Sequence, residues 1–89
     1  MSEIKVEKPA QEKLKSLGVE NWPVWECEPS AFDWEYDSNE DCYILEGSVT
    51  VKTGGGDVSF GKGDFVSFPR GLKCRWVVAE KVRKHYKFS

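Results

Sequence analysis

Between Gly63 and Cys74 the chain reads Gly-Asp-Phe-Val-Ser-Phe-Pro-Arg-Gly-Leu-Lys-Cys: a turn, a short strand, a second turn, and the entry to another strand. Glycine takes positive φ freely and so closes the tight turns, while Pro69 has no N–H to give a ladder and marks the strand's end. A matching segment lies upstream, Glu40-Asp41-Cys42-Tyr43-Ile44-Leu45-Glu46-Gly47, opened by a glutamate and closed by a glycine. From Val19 onward the pattern continues as short β segments at Val24–Cys27, Phe32–Tyr36, Cys42–Leu45, Val49–Thr53, Val58–Phe60, Phe65–Phe68, Cys74–Val78 and Val82–Phe88. Gly54-Gly55-Gly56 and Gly61-Lys62-Gly63-Asp64 make tight hairpins between them. Many short strands at regular spacing specify an all-β sandwich or barrel, here of about eight to ten strands.

The beginning of the chain differs. Ile4 and Val6 alternate with Lys5 and Glu7 as a short opening strand, and Pro9 precedes a helix over Ala10–Leu17 that Gly18 ends. The only apolar face of that helix is Leu14 and Leu17, so it is a lid or plug packed outside something larger. One domain over residues 1–89 is expected, with the strand and helix at about 3–18 and the barrel at about 22–88. A domain this small buries only about 60–65% of its unfolded surface. Four tryptophans within an aromatic content of 13% supply the needed density.

Composition excludes several functions. A net charge of −2 argues against a nucleic-acid partner. No apolar run reaches the roughly 18 residues of a membrane span, and Met1-Ser2-Glu3-Ile4-Lys5 lacks the start of a secretory signal. Cys27, Cys42 and Cys74 are odd in number and widely spaced, which suits a reducing compartment; a soluble, intracellular protein is expected. Lys81, Arg83, Lys84 and Lys87 surround Val82, Tyr86 and Phe88, and read as the solvated face of a surface strand. His85 is the only histidine, so no two-histidine cluster can form within one chain. No G-x-S-x-G turn is present, and no helix or Lys-Ser/Thr follows the glycine triplet to make it a phosphate loop.

Strand alternation gives the barrel interior its content. Glu40, Cys42 and Ile44 share one parity, joined by Trp34 and Tyr36 if the chain runs on without a bulge, and Cys74, Trp76 and Val78 form the matching set. With both sets inward, the mouth is lined by Trp34, Tyr36, Glu40, Cys74 and Trp76, a site for a small planar or cationic ligand. The same aromatic residues also serve as core filling, and Cys42 and Cys74 as structural cysteines. An inward carboxylate is costly unless paired, so Glu40 either acts on a ligand or is held by a lysine or arginine.

The two segments resemble the paired motifs of the cupin superfamily. In the first, a glutamate lies seven residues before a glycine, as Glu40 does before Gly47. In the second, Gly63, Pro69 and Gly71 fit the turn positions, and Cys74 falls on the histidine position. The His-x-His of the first motif falls on Trp34 and Tyr36 with a three-residue gap, or on Asp33 and Glu35 with a four-residue gap. Over nearly the whole chain the sequence is similar to the small single-domain cupins grouped with the cupin domain of (S)-ureidoglycine aminohydrolase. The carrying residues are Trp22-Pro23-Val24-Trp25, Phe32-Asp33-Trp34, Cys42–Gly47, Gly71–Trp76 and Val82–Tyr86. That resemblance implies an RmlC-like jelly-roll barrel, a homodimer, and metal-assisted hydrolysis of ureidoglycine with release of ammonia.

Three readings follow. In the first, the barrel holds no metal or other cofactor and binds a small molecule at Trp34, Tyr36, Glu40, Cys74 and Trp76. In the second, it is an aminohydrolase-like enzyme whose divalent ion is held by Glu40 and Cys74, a thiolate favouring a softer ion such as zinc. In the third, it is a dimerisation or interaction module using an edge strand, Ile4–Glu7 or Val82–Phe88.

Overall fold

The computed structural model describes residues 4–89; the start of the expected strand at residue 3 and the reading of Met1–Glu3 lie outside them. In chain order the elements are β1 (Lys5–Glu7), α1 (Gln11–Leu17), a single 3-10 turn (Val19–Asn21), β2 (Val24–Cys27), β3 (Ser30–Glu35), β4 (Glu40–Thr53), β5 (Gly56–Gly61), β6 (Phe65–Phe68) and β7 (Lys73–Phe88). The expected all-β barrel with one short N-terminal helix is what forms, with every strand pairing antiparallel. Seven strands appear instead of eight to ten, because Cys42–Leu45 and Val49–Thr53 fuse into β4, and Cys74–Val78 and Val82–Phe88 into β7.

These two long strands build the jelly roll. The first half of β4 and the second half of β7 lie in a layer ordered β1-β6-β4-β7-β2, whereas their other halves pair with β5 and β3. Three register shifts between Ile44 and Val49 mark the corner where β4 passes from one layer to the other. The inward residues of β4 accordingly change from Glu40, Cys42 and Ile44 to Val49 and Val51. Gly47 sits in this corner at φ +94°, and a Cβ there would stand 2.2 Å from the Lys81 carbonyl oxygen, so only glycine permits the crossing.

The core fills the space between the layers. Cys42, Ile44, Val49, Val51, Val66 and Val82 are fully or nearly fully buried, together with Phe60, Phe68 and Trp76. Stacking of Tyr36 on Phe68 (centroids 4.9 Å apart, 10° between planes) closes one end. The helix α1 buries no residue fully and lies on the outer face of the barrel, where Leu14 and Lys15 flank Tyr43, Leu45 and His85. It is a cover for the outer wall, not for the mouth.

The C-terminal strand departs from its expected role in two ways. Residues 82–85 are paired on one side with β2 and the strand runs along β4 on the other, so Val82–Phe88 is free only at its last residues beyond Tyr86, not as an edge strand. Among its basic residues, Lys81 and Arg83 point outward to Glu26 and Glu28, but Lys84 is buried. Lys84 shares the inward parity of Val82, Tyr86 and Phe88, and alternation overrides the appearance of a charge run.

Candidate functional site

An open cavity of about 230 Å³ lies at one end of the barrel, walled by Trp25, Phe32, Trp34, Tyr36, Trp76, Tyr86 and Phe88. Its polar floor is Glu40 and Lys84. Each strand contributes alternate residues: β2 gives Trp25, β3 gives Phe32 and Trp34, β4 gives Glu40, and β7 gives Trp76, Lys84 and Tyr86. Cross-strand register brings them together, since Trp76 stands opposite Phe32, and Glu40 starts its strand against the end of β7.

The Lys84 ammonium donates to Glu40 Oε2 at 2.8 Å, and both side chains are almost wholly buried. The same nitrogen lies 4.6 Å from the Trp76 ring centroid and 5.0 Å from that of Trp25. A cation over two indole faces beside a carboxylate is stabilised by both the ring quadrupoles and the opposite charge. Phe32 stacks on Trp76 with 14° between planes, and Trp25 meets Trp76 edge-on, so the rings hold one another in place. Trp34 and Phe88 are each 48% exposed and form the rim. Tyr36 is buried, and burial first, then the neighbouring Glu40 carboxylate, raises its phenol pKa and keeps it protonated. Trp76 is 2% exposed, with its indole beside the Cys74 thiol.

Four of the five residues expected at the mouth are brought together here: Trp34, Tyr36, Glu40 and Trp76. Cys74 is the exception. It has the expected inward parity, but it lies behind the rim as the cross-strand partner of Trp34, its thiol directed to the Trp34 carbonyl oxygen at 3.6 Å. A shallow charged groove with Lys52, Lys73 and Arg75 adjoins it, not the aromatic cavity. Burial raises its thiol pKa, only partly offset by Trp76, so it is poorly placed to act as a thiolate. The sequence reading missed Trp25, Phe32, Lys84, Tyr86 and Phe88. Alternation along Val82-Lys84-Tyr86-Phe88 is the signal that would have found the last three.

The residues do not fit the divalent ion that the cupin resemblance implies. Only Glu40 remains of the usual ligands, and its carboxylate is held by Lys84. Among the described residues no three His, Cys, Asp or Glu side chains gather into a group that could hold a metal. His85, on the outer wall, shares a 2.9 Å hydrogen bond with the Trp22 carbonyl through Nδ1. No helix among the described residues is long and apolar enough to cross a membrane.

Comparison with known proteins places this geometry. The family of EutQ-like cupin domains matches residues 14–86. A DUF861 family protein of Thermotoga maritima is 60% identical, with a TM-score of 0.95 over 98% of this chain and 100% of that one. The EutQ protein of Clostridium difficile is 21% identical, with a TM-score of 0.69 over 98% of this chain and 68% of its own, a likeness of fold. A DUF861 family protein of Pseudomonas syringae pv. tomato is 26% identical, with a TM-score of 0.67 over 74% of this chain and 29% of its own. No curated protein matches the chain.

Proposed function

Since this chain belongs to the family of EutQ-like cupin domains, we propose that its barrel mouth binds a small planar molecule without the histidine metal site of metal-holding cupins. One observation carries the reading: an aromatic cavity open to solvent keeps a buried ion pair, Lys84 with Glu40, at its floor. Replacing a buried ion pair by well-packed apolar side chains is often neutral or stabilising, so stability alone does not account for this one. Apolar walls with a few fixed polar groups are the usual makeup of a ligand site. The volume suits a single ring with a small substituent, since a cavity of about 150 Å³ already admits benzene.

A metabolite-library thermal-shift screen of the wild-type protein and the Glu40→Gln variant tests this. Stabilising compounds are expected for the wild type, with the shift reduced in the variant. A library without a stabilising compound, or shifts equal in both proteins, would count against it.

A second reading is metal-assisted hydrolysis of ureidoglycine, favoured by Glu40 facing the cavity from the glutamate position of the first motif. It requires the carboxylate to leave Lys84 for the ion. Stoichiometric metal in protein purified without an affinity tag, lost in Glu40→Gln and Cys74→Ser, would replace the first reading by this one.

A further inference from the structure

We infer that Lys84 is the built-in cation of its own aromatic cage, so that the cavity takes an uncharged, single-ring ligand and turns away organic cations. The inference rests on the ligand-binding reading above and narrows its chemistry.

Indole faces around a carboxylate would ordinarily make a receptor for an organic ammonium ion. Here that position is taken: the Lys84 nitrogen stands 4.6 Å and 5.0 Å from the Trp76 and Trp25 ring centroids and 2.8 Å from Glu40. The ammonium is tethered to a central strand, its side chain is 6% exposed, and it is held by Glu40 at 2.8 Å. An entering cation would meet a like charge with the counter-ion already engaged. An entering anion would face the Glu40 carboxylate with the only ammonium at the floor already paired. A neutral ligand avoids both costs, and desolvated like charges are an effective device for rejecting the wrong partner.

The test uses three probes of one shape and different charge: benzamide, benzoate and trimethylphenylammonium, each titrated into the intact protein by heteronuclear NMR. Benzamide is expected to bind and to move the Trp76 indole N–H resonance, with the cation at least roughly ten-fold weaker. In the Glu40→Gln/Lys84→Met double variant, which leaves no buried charge unpaired, discrimination against the cation is expected to disappear. Wild-type protein that binds trimethylphenylammonium or benzoate as tightly as benzamide overturns the inference, as does a double variant that still rejects the cation. Compounds found by the library screen alongside silence from all three probes overturn the ligand class and leave the binding reading standing. Silence from both the library and the probes removes the binding reading itself.

Discussion

Substituting Lys84→Met removes one half of a buried ion pair and keeps the other. The side chains of Lys84 and Glu40 are 6% and 4% exposed, so water cannot replace the lost ammonium beside the carboxylate. Breaking such a pair typically costs about 3–5 kcal/mol, and the two cation–π contacts add roughly 0.5–2 kcal/mol each when desolvated. A domain of 89 residues is held by only about 0.05–0.15 kcal/mol per residue, so the single variant approaches the limit of folding. Its melting temperature is expected to fall by more than about 10 °C. Glu40→Gln strands the ammonium instead and should cost a comparable amount. The double variant Glu40→Gln/Lys84→Met strands neither, and is expected to be more stable than either single variant. Urea unfolding of all four proteins at neutral pH gives the cycle, and the coupling energy should exceed about 2 kcal/mol. Additive effects, with the double variant the least stable of the set, would refute the reasoning.

Four further outcomes follow from individual residues. Gly47→Ala combines positive φ with a Cβ 2.2 Å from the Lys81 carbonyl oxygen, and should lower the free energy of urea unfolding by more than about 1 kcal/mol, whereas Gly55→Ala, whose Cβ would meet only Thr53 Oγ1 at 3.8 Å, should be far milder. Burial pushes the Cys42 thiol up from 9.0 to about 12, partly offset by Lys84. A raised pKa stabilises fully below the unfolded value and is lost as pH rises through the folded one, so stability should decline between about pH 9 and 12 by up to roughly 1.4 kcal/mol per unit, and less steeply in Cys42→Ala. Asp64 behaves oppositely: burial raises its pKa, but the Lys8 ammonium and the Gly61 N–H outweigh burial and leave it lowered. Its contribution is present above the unfolded pKa near 4 and is lost as pH falls further, so unfolding in acid should depend less on pH in Asp64→Asn. Trp34→Ala at the half-exposed rim should leave the free energy of urea unfolding within about 0.5 kcal/mol while weakening benzamide binding several-fold, read by titration.

Much of the barrel was legible because its turns are written in glycine and proline. Gly54–Gly56, Gly61–Asp64 and the Pro69–Gly71 turn fall where expected, and so do the helix and its glycine stop, Gly18. The two long strands were not, because alternation breaks at their corners. Glu46, Gly47 and Ser48 in β4, and Ala79, Glu80 and Lys81 in β7, are polar or small and read as loops, though they only bend a continuous ladder. At the site, parity put Trp34, Tyr36, Glu40 and Trp76 on the inward face, and all four line the cavity. Cys74 has the same face but is not among the cavity walls, because alternation gives the face of a residue but not its depth along the barrel. Lys84 was hidden by its neighbours Arg83 and Lys81, since a lysine in a charge run looks solvated until Glu40, on the same face of β4 as the lysine's register partner Ile44, is seen. The need for a cationic partner to an inward glutamate was legible; which lysine supplied it required the register of β4 against β7.

The central claim is that the aromatic mouth is a ligand site, and the four indole N–H groups report on it directly. Trp25, Trp34 and Trp76 line the cavity, whereas Trp22 packs on Phe65 and under Lys87 and is not among its walls. Titrating the most stabilising compound of the screen into ¹⁵N-labelled protein should move the Trp25, Trp34 and Trp76 indole resonances and leave Trp22 unmoved. A stabilising compound that moves Trp22 alone, or no indole resonance, would contradict the account.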